Sequence, residues 1–157
     1  CRWDGYDYLR AKHFRMSEEG NDIFVCFPRS KADQTGKGKI CTLATREHIS
    51  NPVGLTLLYF KLFDLEMDGV DESRINCALR YTKGGLVPKK DQGLSYSEGS
   101  KQAKKLLEEM GFSSEGYGES SAKRAGVSEP LERGATVEQI QLVGGWKTRG
   151  MPLYYAQ

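Results

Sequence analysis

The sequence predicts an α+β fold, mainly helical, with a small antiparallel β-hairpin near the N-terminus. Two runs rich in apolar and β-branched residues, "NDIFVCFPRS" (21–30) and "KICTLAT" (39–45), flank the polar turn "KADQTGKG". That pattern is a β-hairpin with a long loop. From Asn51 onward, successive stretches carry helix start and stop signals, and no internal repeat interrupts them. With 157 residues, 38% of them hydrophobic, the chain has the size of one ordinary domain, and a single domain over 1–157 is expected.

The elements follow in order. Residues 2–14, "RWDGYDYLRAKHF", mix apolar and charged positions with only Gly5 as a turn former, which predicts a helix running into a short connection. After the hairpin, Asn51 stands before Pro52 as an N-cap residue before a proline at the first helical position. The apolar "VGLTLLYFKLFDLEMDG" then predicts a helix ending near Gly69. The segment from Tyr81 to Ser97, with "TKGGLVPKKDQG", is polar and rich in Gly and Pro and reads as a long loop.

In "SEGSKQAKKLLEEMGF" (97–112) Ala103, Leu106, Leu107 and Met110 are spaced for one core-facing side of a helix. Another helix covers part of "SAKRAGVSEPLERG", where Pro130 restricts its start or continuation. "TVEQIQLVGG" opens with a capping-box pair, Thr136 and Gln139, and closes on Gly144-Gly145. Finally, Pro152 starts one last helical turn carrying Tyr154 and Tyr155.

Bulk properties exclude several classes. The 23 basic and 21 acidic residues leave a net charge of +2, so the overall balance does not announce a nucleic-acid binder, although a basic face can hide in such a sum. Cys1, Cys26, Cys41 and Cys77 lack C-x-x-C spacing, and His13 and His48 form no ligand motif with them, which argues against a structural zinc site. Scattered cysteines suit an intracellular setting, cytoplasmic or nuclear. No apolar run approaches the roughly 18 to 20 residues that span a bilayer, and no signal-peptide pattern opens the chain.

Four features carry chemistry when taken together: Arg2, Lys31 in the hairpin turn, the pair Lys123-Arg124, and the stretch from Trp146 to Tyr155. In this order they resemble the catalytic domain of the tyrosine recombinases, the phage-integrase family, over nearly the whole chain. The family carries an arginine early in a helix, then an acidic residue and a buried leucine; Arg2, Asp4 and Leu9 fit. Its hairpin lysine lies in a Ser-Lys-Thr-like turn, and "PRSKADQTGKG" puts Lys31 there. Its second arginine ends a His-x-x-Arg motif followed by small residues, the place occupied by "SSAKRAGV". Its nucleophilic tyrosine stands nine residues after a His or Trp, and nine residues after Trp146 is Tyr155, which leaves Tyr154 as a packing neighbour.

The resemblance implies cleavage and rejoining of double-stranded DNA through a 3′-phosphotyrosyl bond, with no metal, ATP or other cofactor. Arginine suits the two non-bridging phosphate oxygens because its planar fork donates paired hydrogen bonds and stays charged. Arg2 and Arg124 are the expected clamp, Lys31 the donor to the leaving 5′ oxygen, and Trp146 the brace of the tyrosine segment. The register of the second arginine has two solutions. Reading Arg124 as the family arginine puts Ser121 in the histidine's place, whereas counting back the family's usual gap of about 23 residues from Trp146 selects Lys123 and Ser120. Either way a serine, a poor general base near neutral pH, replaces the histidine.

Arg29, Lys31, Lys37 and Lys39 cluster around the hairpin as DNA-backbone contacts, with Lys83, Lys89 and Lys90 in the expected loop. The family further implies an N-terminal clamp domain ahead of Cys1, tetramers on paired DNA sites, and no membrane partner. Two rival readings stay open: a catalytically impaired, recombinase-like DNA-binding or regulatory protein, and a type IB topoisomerase-like enzyme.

Overall fold

A computed structural model of the chain describes residues 8–28, 38–49 and 51–156. The fold is α+β, with a three-stranded antiparallel sheet near the N-terminus, one α-helix, a two-stranded antiparallel sheet and then four α-helices among the described residues. The chain gathers into two compact units, Cys1–Leu94 and Ser95–Gln157.

In the first unit, β1 (Phe14–Met16), β2 (Asp22–Phe27) and β3 (Lys39–Ala44) form an antiparallel sheet in that order. The expected hairpin is therefore present, with Asp22 opposite Ala44 and Phe27 opposite Lys39. Strand β2 shows why it sits here: Ile23, Val25 and Phe27 are buried while Phe24 points out, the period-two alternation of a sheet with one covered face. Helix α1 (Pro52–Phe63) contributes Val53 and Phe60 to the same core, with the Phe60 ring 5.1 Å from that of Phe14. Leu9, Ala11 and Leu65 complete the cluster. Each large apolar side chain buried in this way stabilises the unit by about 1.5 to 3 kcal/mol. The Asn51 side chain accepts from the Val53 N–H at 3.1 Å, as an N-cap before proline should.

Three expectations in this unit are corrected. Described residues 8–14 are not an α-helix: a single 3-10 turn, Ala11–His13, leads directly into β1. Its backbone is tied to sequence-distant partners, Ala11 N–H to Ser73 O (3.0 Å) and Lys12 N–H to Asp71 O (2.9 Å), which no local periodicity reveals. Helix α1 stops at Phe63 rather than near Gly69, because Asp64 takes a left-handed conformation (φ 50°) and Leu65 N–H bonds back to Phe60 O. The expected loop from Tyr81 is a two-stranded ribbon, β4 (Cys77–Thr82) paired with β5 (Gly85–Gly93). Lys83 and Gly84 make its two-residue turn, and Pro88 fits because a ribbon strand has an edge where no N–H is needed.

The second unit contains α2 (Tyr96–Glu109), α3 (Glu119–Glu132), α4 (Val137–Gly144) and α5 (Gly150–Tyr155). The last three pack on one another, and each supplies one buried residue: Val127, Ile140 and Pro152. Thr136 caps α4 in the expected box, its Oγ1 accepting from Gln139 N–H while Gln139 Oε1 accepts from Thr136 N–H. Helix α3 runs through Pro130, which removes only one helical bond, to the carbonyl of Gly126. The proposed core face of α2 is not one: Leu106 and Met110 are exposed, Ala103 and Leu107 half-buried. Among the described residues no helix is long and apolar enough to cross a membrane.

Candidate functional site

The clearest local construction surrounds Trp146 and Tyr155. Helix α4 ends on Gly145, whose φ of 68° is the left-handed conformation that a glycine adopts without a Cβ penalty. The chain then turns back, and the Trp146 ring lies directly against Gly144. A Cβ at that position would stand 2.2 Å from Cζ3 and 2.3 Å from Cε3 of the indole. The two glycines of "GGW" thus do different work: the second reverses the backbone, and the first leaves room for the ring.

Gln141 holds the tryptophan backbone from both sides. Its carbonyl accepts from Trp146 N–H at 3.1 Å, and its side-chain amide donates to Trp146 O at 3.2 Å. Three residues on, the exposed Arg149 guanidinium pairs with Glu138 at 3.1 Å, tying the start of α5 to the first turn of α4. At that exposure the pair contributes about 0 to 1 kcal/mol, but it limits where α5 can lie.

Helix α5 then presents its two tyrosines. The Tyr155 ring stacks on Trp146 with centroids 5.8 Å apart and planes inclined by 30°. Tyr154 stands edge-on to Tyr155 at 5.3 Å. Tyr155 is half-buried, whereas Tyr154, expected to be the packing ring, is 64% exposed. Among the described residues the Tyr155 hydroxyl and the Trp146 indole N–H have no hydrogen-bond partner. Both polar tips are thus available to a ligand.

Helix α3, which packs on α5, carries the serine and basic candidates. Ser121 is occupied locally: its Oγ accepts from Gly118 N–H at 3.0 Å, while its own N–H donates to Gly118 O. It closes the N-terminus of α3, where unpaired N–H groups need acceptors. Ser120 is exposed. Lys123 is half-buried, and Arg124, one residue on, is exposed and without a side-chain partner among the described residues. Both lie within one helical turn of the buried Val127, so they flank the side of α3 that packs.

Arg2, Arg29, Lys31 and Lys37 lie outside the described residues. Lys39 opens β3 opposite Phe27 and is half-buried. Leu9, the leucine expected to be buried after Arg2, is buried. Sequence reasoning missed three supports of the site. The need for glycine at 144 was legible only as part of "GGW"; the Gln141 clamp and the Glu138–Arg149 pair join residues whose spacing matches no motif. The chain matches no known protein-family profile and no curated protein sequence.

Proposed function

We propose that the chain is the catalytic domain of a tyrosine recombinase, cleaving and rejoining double-stranded DNA through Tyr155. The observation that carries this reading is the Trp146–Tyr155 stack at 5.8 Å, on a short helix packed against the helix that bears Lys123 and Arg124. A phenol held against an indole, with its hydroxyl unpartnered, is oriented without being consumed by an internal hydrogen bond.

In the proposed step Tyr155 Oη gives its proton to solvent water and attacks phosphorus, and the bond from phosphorus to the 5′ oxygen breaks. The phosphotyrosyl ester conserves the energy of the broken linkage, and the 5′ oxygen leaves as a hydroxyl with a proton from Lys31. Arg2 and either Arg124 or Lys123 hold the non-bridging oxygens, where their donors gain strength as charge develops. The indole N–H of Trp146 donates to the same phosphate. Rejoining reverses these steps, so no cofactor enters. Assembly of four copies on paired sites belongs to this reading.

A second reading, an impaired recombinase-like DNA-binding protein, is favoured by Ser121, whose oxygen already serves the cap of α3. General acid or base catalysis typically contributes about 10²- to 10⁴-fold, so a serine there slows the reaction by that order.

A nicked suicide substrate separates the readings. The first expects an SDS-resistant protein–DNA adduct that is lost in Tyr155→Phe and kept in Tyr154→Phe; an adduct surviving in both single variants assigns the nucleophile elsewhere. Absence of any adduct together with retained DNA binding selects the second reading. If a serine limits the rate, Ser120→His or Ser121→His accelerates adduct formation. Relaxation of a plasmid lacking paired sites points instead to a topoisomerase-like activity.

A further inference from the structure

The ribbon β4–β5 concentrates charge. Its 17 residues, Cys77–Gly93, carry Arg80, Lys83, Lys89 and Lys90 against a single acid, Asp91, a net of +3 where the whole chain has +2. The remaining residues sum to a net of −1, although Arg29, Lys31, Lys37 and Lys39 against Asp33 make a second basic segment.

The cations divide by their neighbours. Lys90 is committed inward: its Nζ donates to the Asp64 carbonyl and lies 3.9 Å from the Asp64 carboxylate. Lys89 reaches only the neutral amide of Gln92, at 3.0 Å, so its charge is not cancelled. Arg80 and Lys83 are exposed and have no side-chain partner among the described residues.

Register brings two of these three together, and the third lies at the turn. Arg80 faces Val87 across the ribbon, and Ala78 faces Lys89, which makes Lys89 the diagonal neighbour of Arg80 on one face. Diagonal neighbours lie about 7 to 8 Å apart, close enough for like charges to repel, and the position opposite Arg80 is apolar rather than acidic. Lys83 extends the same charge to the turn. A two-stranded ribbon is also one of the shapes that enters the major groove of a duplex.

We infer that the Cys77–Gly93 ribbon is a docking arm for the phosphate backbone of duplex DNA, contacting it through Arg80, Lys83 and Lys89. The inference rests on the duplex-DNA reading above for its partner but not on Tyr155 chemistry. Such contacts position the protein without reading sequence. Each phosphate neutralised releases counterions and contributes about 0.9 to the slope of log affinity against log salt.

The test is fluorescence anisotropy with a labelled duplex, titrated with the full chain from 50 to 200 mM salt. Arg80→Ala with Lys83→Ala should make the slope shallower by about 1.8, so that its loss of affinity relative to wild type is about tenfold greater at 50 mM than at 200 mM salt. Arg80→Lys with Lys83→Arg, which keeps the charge, should restore both. A slope unchanged in the alanine pair overturns the inference, as does a wild-type chain that does not bind duplex. Loss of binding to phosphatidylserine vesicles with duplex binding unchanged also overturns it, assigning the arm to a membrane surface. A ribbon-dependent slope without any suicide-substrate adduct keeps the docking arm and removes the recombinase chemistry.

Discussion

Gly144→Ala perturbs the site at its tightest point. The added methyl would meet the Trp146 ring at 2.2, 2.3 and 2.8 Å, distances at which the indole has to leave. Overpacking of this kind costs about 1 to 3 kcal/mol. Losing the stack on Tyr155 adds about 0.5 to 1.5 kcal/mol. Alanine returns up to about 1 kcal/mol of helix propensity, less at the last helical residue. The net expectation is a destabilisation of about 1 to 3 kcal/mol, read as a lower urea midpoint with the slope unchanged. Gly126→Ala in α3 supplies the contrast. Nothing lies within 4 Å of its added Cβ, so the same chemical change should stabilise, by about 0.5 to 1 kcal/mol. Near-UV circular dichroism should report a changed tryptophan environment in the first variant and none in the second. If the phosphotyrosyl reading holds, adduct yield falls in Gly144→Ala alone. Equal or greater stability of Gly144→Ala, with an unaltered tryptophan signal, refutes the packing argument.

Acid should loosen the first unit in two stages. Burial, then the Lys12 and Arg10 cations, lower the His13 pKa from its ordinary 6.5, and Arg10 N–H already donates to His13 Nδ1. The folded state therefore binds fewer protons than the unfolded chain, and stability present above pH 6.5 is lost as pH falls through the lowered value. Burial raises the Asp71 carboxyl, but bonds from Ser73 and from the Glu66 N–H outweigh it and leave it below 3.8; stability present above that value is lost at still lower pH. Urea midpoints measured from pH 8 down should decline accordingly, and His13→Gln should flatten the first stage; a midpoint independent of pH across that stage contradicts the sign. Asn51→Ala removes the cap on Val53 N–H and should cost about 0.5 to 2 kcal/mol, whereas Asn51→Asp should retain most of it by urea unfolding.

Much of this architecture was legible locally. The β2–β3 hairpin, the Asn51 and Thr136 caps, the stop at Gly144-Gly145 and the terminal turn begun near Pro152 each depend on residues within a few positions, where steric and hydrogen-bond preferences act directly. The readings that failed turned on pairings and backbone conformations that composition and local periodicity do not reveal. Residues 10–12 give up helix for hydrogen bonds to 71–74. Asp64 ends α1 several residues before Gly69. "TKGGLVPKKDQG" pairs with the strand before it despite a composition that reads as loop.

For the candidate site the division is the same. Sequence alone fixed the order of the basic residues, the nine-residue interval from Trp146 to Tyr155, and the serines at 120 and 121, because these are facts of spacing and identity. Tertiary structure decided that Tyr155 rather than Tyr154 lies against the indole, that Ser121 is engaged by the cap of α3, and that Arg80 and Lys89 of the ribbon share a face. Those outcomes depend on which surfaces meet when helices and strands pack, and a short-range pattern of residue types does not contain that information.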